Sequence, residues 1–404
     1  MNKILNVQSD SENKESNSSA SLFSLGFRPF FLAAGLFAVL TISWWAAVFH
    51  FQLTLSVQSI SPSQWHAHEM IYGYSLAVIA GFLLTAVKNW TGIQTLSGKS
   101  LFMLFGLWTA TRFLFLYGDT YILLAGVTDL LFSLLLVFYV AAPIFKVKQW
   151  KQISILSKLV LLLVANLLFY AGVLFGLDSG VYLGLYGGLY LVIGLILTMA
   201  RRVVPFFIEA GVGYPFKAKN YRWIDISNLI LFLGFFISEL FLHNPAITAY
   251  LALILFALNT IRLIGWHTVG IWRKSLLWSL YLALWFINLG FLLYAGVHFF
   301  AIAKSLAIHA FSFGGIGLIT LAMMSRVALG HTGRSVFDPP KVMSYAFGCL
   351  VLAAIIRVIF PILDVGHYSI WIGLSQILWV LSFAIFSFVY FPMLTRPRVD
   401  GKPG

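Results

Sequence analysis

Two imidazoles and a carboxylate, His66, His68 and Glu69, stand within four residues at the start of an apolar run with no charged residue from Tyr72 to Val87. Imidazole suits haem iron and copper alike, and the residue types alone do not choose between them. Such groups are costly beside lipid, so they are either wetted at a membrane interface or engaged with an ion, a cofactor or each other. Two residues on a regular helix subtend about 200°. His66 and His68 therefore cannot share one metal from within ideal helix. Either the helix starts at His68 and His66 swings in from a loop, or the two rings serve different sites on opposite faces. A third ring, His309, lies in LAIHAFSFGGIGLITLAMM, about one and a half turns inside an apolar run. An unpartnered ring that deep costs free energy.

The elements that must position these rings are membrane helices. Of the 404 residues 60% are hydrophobic and 10% charged, with mean hydropathy +0.92, whereas a soluble chain is normally about a quarter charged. Apolar runs of about 20 residues select an all-α, polytopic transmembrane helical bundle over a barrel, whose strands would alternate. About twelve spans are expected, near 30–51, 66–87, 99–117, 120–143, 155–175, 180–200, 223–243, 245–264, 275–297, 304–325, 343–362 and 368–394. The polar stretch 1–25 reads as a disordered tail, 26–395 as one bundle and 396–404 as a second tail. Lys and Arg crowd the loops on one side, with Lys304 alone opposite, which predicts both termini in the cytoplasm. The same rule accounts for the net charge of +13 without nucleic acid as a partner; membrane lipid is the surrounding partner. The one cysteine, Cys349, excludes a Cys-x-x-Cys-His attachment site, so any haem is held non-covalently, as b-type.

Other ionisable residues fall inside the spans. Glu69, Arg112, Glu239 and Arg357 each lie within a few turns of the outer face, and Asp129 lies deeper. One reading is an ion-pair network, with Asp129 paired to Arg112. The other has Arg112 or Arg357 neutralising an anionic group such as a haem propionate, and Glu69 orienting a ligating imidazole. Gly314 and Gly315 either serve helix packing or leave flat space beside His309 for a macrocycle. On the basic side, GFRPFFLAAG and RRVVPFFIEAG share an Arg, Pro-Phe-Phe, Ala-Gly pattern in which proline can open a helix. SRVALGHTGR closes the tenth span with Arg326, His331 and Arg334, a basic loop that serves as a topological anchor or binds an anion.

Three of these stretches together resemble the NnrS family of haem- and copper-containing bacterial inner-membrane proteins associated with nitric oxide. The matching residues are Gly26-Phe27-Arg28-Pro29-Phe30-Phe31, then Trp65-His66-Ala67-His68-Glu69-Met70 with Ala80 to Val87 and Asn89-Trp90-Thr91-Gly92, and finally Ser325-Arg326-Val327 with Leu329-Gly330-His331-Thr332-Gly333-Arg334. Lys88 stands where the family pattern AVPNWTG has Pro. The resemblance implies a twelve-span protein of the bacterial inner membrane that binds haem and copper and helps cells tolerate nitric oxide or nitrosative stress, with nitric oxide or a related small molecule as its partner. Whether it turns nitric oxide over as an enzyme or only binds it stays open. A transporter of a small solute or metal and a membrane nitric oxide reductase are the alternatives. Among the histidines, His309 is the first expectation for the haem ligand, because it is the most deeply placed, and His68 the second, with Arg112 and Arg357 for the propionates. His66, with Glu69 as orienting partner, is expected to serve copper or a second cofactor, His68 being its neighbour in that metal set. The second and tenth spans are expected to be neighbours.

Overall fold

A computed structural model describes residues 21–402 as helices and short connections. Of the polar tail expected over residues 1–25, residues 1–20 lie outside the described residues. Residues 21–25 pack onto the other end of the chain, where Ser21 Oγ donates to the Thr395 carbonyl at 2.6 Å.

Among the described residues twelve helices are long and apolar enough to cross a bilayer: α1 (Phe27–Phe51), α2 (Pro62–Thr91), α3 (Gly98–Tyr117), α4 (Asp119–Lys146), α5 (Trp150–Phe175), α6 (Asp178–Gly211), α7 (Arg222–Leu242), α8 (Pro245–Trp266), α9 (Ser275–Phe299), α10 (Lys304–His331), α11 (Val342–Leu363) and α12 (Tyr368–Thr395). The protein is a multi-pass membrane helical bundle, and among the described residues no strand occurs.

Local chemistry sets several helix ends beyond the expected limits. α2 begins four residues before His66, because Pro62 sits in its first turn and Ser61 and Gln64 cap it reciprocally. His66 is therefore a helical residue and not a loop residue. α6 runs through Arg201 and Pro205 to Gly211. Pro205 thus opens no helix, and its missing amide falls in the last two turns, near the polar interface. The α3–α4 turn is made at Gly118, with φ of +82°, where a Cβ would sit 2.6 Å from the Ser56 carbonyl. Asp119 fixes that turn by accepting from the backbone amides of Gln58 at 2.9 Å and Ser59 at 3.0 Å.

The most buried spans are α2, α9 and α10. α2 and α10 meet directly, with the Tyr74 and Thr320 hydroxyls 2.7 Å apart. Gly314 and Gly315 serve the α9–α10 contact: a Cβ on either would lie 2.5 Å from Phe286 or Ile287 respectively. The flat space considered for them beside His309 is filled by α9. Both central helices widen into π-helical turns, α2 over Glu69–Ser75 and α10 over Ala310–Gly317, each just after a histidine.

Candidate functional site

A cavity of about 400 Å³ is enclosed by α1, α2, α6, α10, α11 and α12. Ser63, Gln64 and Tyr368 line its end nearest the α1–α2 and α11–α12 connections, and Tyr74 and Trp379 lie deeper. Its walls are largely apolar, with Ile42, Met70, Leu189, Phe313 and Ile316 among them, and its charged or titratable groups include His66, His309 and Arg357. This is the composition expected of a small-molecule site, concave and apolar with a few convergent polar groups.

His66 stacks on Trp45, with ring centroids 4.7 Å apart and planes 8° from parallel. Its Nδ1 is buried without a hydrogen-bond partner. Buried polar atoms are seldom left so, and one on a ring held flat by stacking points to a missing partner. His309 Nδ1 donates to the Ser305 carbonyl at 2.6 Å. That bond fixes the tautomer and leaves Nε2 as the acceptor for Arg357 Nη2, at 3.2 Å. Arg357 Nη1 is buried and unpartnered, and the guanidinium carbon lies 5.9 Å from the Tyr368 ring centroid.

His68 points to the opposite face of α2, into a separate cluster. The ring is fully buried and stacked on Phe169 with centroids 4.3 Å apart. Its Nδ1 lies 3.1 Å from Glu69 Oε1, and its Nε2 lies 3.1 Å from Asn166 Oδ1. Arg112 joins the same cluster, donating to Glu69 at 2.6 Å and to Asp129 at 2.8 Å. Asn166 and Tyr170 complete it, each donating to Asp129 Oδ2 at 3.1 Å. Both ring nitrogens of His68 are thus engaged, and neither Glu69 nor Arg112 reaches the cavity. The separation by about 200° sends the two histidines to two different environments.

The remaining motif residues lie at the other end of the bundle. Arg28 is fully buried, and its Nη1 donates to the carbonyls of Leu394 at 3.0 Å and Arg396 at 2.7 Å. It therefore closes the orphan carbonyls where α12 ends. The His331 ring lies 5.5 Å from that of Phe27. Arg398 donates to the His331 carbonyl at 2.9 Å and pairs with Asp400 at 2.6 Å. That guanidinium holds the Asp400 carboxyl down to about 2. Arg326 lies 3.9 Å above the Phe207 ring, and burial lowers Arg334, with Arg396 adding to the effect. Arg28 thus ties α1 to the end of α12, and Arg398 ties the segment after α12 to the end of α10.

Sequence reasoning passed over Trp45, Tyr368, Asn166 and Tyr170. Asn166 carried a usable signal, a lone amide within the apolar run LVLLLVANLLFYAG. The aromatic residues carried none, because tryptophan and tyrosine near span ends are ordinary interfacial anchors.

Among the described residues no three His, Cys, Asp or Glu side chains converge as a metal site would require. The cavity offers two imidazoles as potential ligands and one guanidinium that can meet only an anion, and two imidazoles suit an iron already held by a macrocycle better than a copper ion needing three protein ligands.

No curated protein matches the chain. A family model described as NnrS protein matches residues 21–398. That match spans the whole of the twelve-helix bundle and every motif described above, and the chain belongs to the NnrS family.

Proposed function

We propose that this membrane protein holds a non-covalent haem in the cavity between α2 and α10 and uses it to bind nitric oxide in the response to nitrosative stress. Membership of the NnrS family supports the link to nitric oxide. The observation that carries the haem reading is the pair of imidazoles, one with an unpartnered Nδ1, in an otherwise apolar cavity beside a buried arginine. His66 and His309 are the residues that would hold the iron. Arg357, through its unpartnered Nη1, would take a propionate. When bound, haem iron would supply a coordination position for a diatomic ligand only where one of the two imidazoles gives way to it.

The chain's own residues do the rest. Trp45 fixes the plane of His66, and the Ser305 carbonyl fixes the His309 tautomer, the arrangement by which a ligating imidazole is usually oriented. The apolar walls keep water from the macrocycle while admitting a small uncharged gas. Copper at His66 remains the second reading, with His309 as the only other imidazole lining the cavity. It is less well supported, since Glu69 is bonded to His68 and Arg112 elsewhere.

The test is the visible spectrum of protein purified from haem-replete cells, with metal analysis. His66→Ala and His309→Ala should each lose most of the haem absorption while inserting normally, and Arg357→Gln should weaken haem retention. Retention of the full spectrum by both histidine variants would refute the assignment. Loss of the spectrum in His331→Ala instead would move the site to the basic side.

A further inference from the structure

A second cavity, of about 280 Å³, lies between α5, α6, α7 and α8 at the basic side of the bundle. Lys158, Arg201, Arg222 and Arg262 face it, against the single carboxylate of Asp225. Asp225 is shared by Arg201 at 3.2 Å and Arg262 at 2.8 Å. Lys158 Nζ donates to the Ser154 carbonyl at 3.0 Å and hydroxyl at 3.1 Å. Arg222 opens α7, and among the described residues it forms no ion pair. More positive charge therefore faces this cavity than its own carboxylate neutralises.

The lining changes with depth. Along α7 the order is Arg222, Asp225, Ile226, Leu229 and Phe232, so the charge lies at the membrane end and apolar side chains follow toward the bilayer centre. Ile226 and Leu229 are 50% and 60% exposed, facing where acyl chains would lie. At the inner end Gly194 lets Phe232 pack close, because a Cβ there would stand 2.9 Å from Phe232 and 3.5 Å from the Lys158 stem. We propose that this cavity is a binding site for an anionic phospholipid, its phosphate among Lys158, Arg201 and Arg222 and its acyl chains along Ile226 and Leu229. Basic pockets between membrane helices recognise such headgroups by charge and depth together. A free phosphate ion would have no use for the apolar half, and a zwitterionic lipid brings no net charge to match the excess.

The experiment compares lipid retained by the full-length protein after mild detergent extraction, read by native mass spectrometry with phosphatidylglycerol or phosphatidylcholine added back. Wild type should retain phosphatidylglycerol selectively, and the double variant K158Q/R222Q should lose it roughly thirtyfold, given the contribution of each of the two surface cations. Neither substitution breaks an ion pair. R222Q alone, at an exposed position, should give a smaller loss of the same sign, and K146Q/K148Q, elsewhere on the same side, should give none. Unchanged retention in K158Q/R222Q, equal retention of the two lipids by wild type, or displacement of the lipid by inorganic phosphate would each overturn the proposal.

Discussion

Replacing Arg112 by glutamine tests whether the cluster around His68 is structural and separate from the cavity. Arg112 is the cation between two carboxylates, Glu69 and Asp129, whose side chains are 2% and 0% exposed. Its removal leaves two buried negative charges that share His68, Asn166 and Tyr170 as their remaining partners. Breaking a buried pair by deleting one partner costs about 3–5 kcal/mol, because the other charge stays desolvated. The neutral hydrogen bonds that survive place this case at the lower end, near 3 kcal/mol, or a fall of roughly 3–4 °C in melting temperature for a chain of this length. The assay is thermal melting of detergent-purified protein. R112Q/E69Q/D129N, which removes the charges together, should recover most of the loss. The proposed haem, measured per folded molecule, should be retained in R112Q as in wild type, since Arg112 does not line the cavity. A melting point within about 1 °C of wild type would refute the argument, as would a triple variant no more stable than R112Q.

Three further outcomes follow from other contacts. Gly317→Ala should destabilise by about 1–3 kcal/mol in the same melting assay, because its Cβ would fall 2.5 Å from the Trp379 ring. Arg28→Gln should expose the α12 end to limited proteolysis, because the carbonyls of Leu394 and Arg396 lose their donor. Arg398 holds Asp400 at about 2, so the tail contact is complete above the usual carboxylate value of about 4 and is lost only as pH falls through the depressed value. Protease sensitivity of the tail should accordingly rise only at strongly acid pH in wild type, and at every pH in Asp400→Asn.

The twelve spans were legible because each is an apolar run long enough to cross the bilayer, and nothing but a helix satisfies its backbone there. The helix ends were less so. Ser61, Pro62 and Gln64 spelled out the start of α2, yet the apolar pattern drew attention to His66. Pro205 read as a helix opener because its neighbours repeat those of Pro29, but α6 had already carried the chain past it. That His66 and His68 face different ways could be read from helical geometry. Which environment each meets could not, because Asn166, Tyr170 and Arg357 come from spans distant in the chain. Sequence spacing reports the face of a helix and is silent on what packs against it.

The two π-helical stretches show why extrapolating along a helix from the histidines fails. Each residue inserted into a turn shifts the register by about 100°. Side chains after Ser75 in α2 and after Gly317 in α10 therefore point elsewhere than a straight helix from His66 or His309 would put them. Such turns are uncommon and recur at functional sites. Two serines that line the cavity sit in these stretches and donate back to the widened backbone, Ser75 to the Met70 carbonyl at 2.7 Å and Ser312 to the Ile308 carbonyl at 2.8 Å. The hydroxyls are thereby satisfied within their own helices and place no charge in the cavity. The same widening that spoils the helical count keeps His66 and His309 on one apolar wall system, near the ends of α2 and α10, while Tyr74 and Thr320 join the two helices below them. The cavity is thus a consequence of two locally irregular helices packed at a common level.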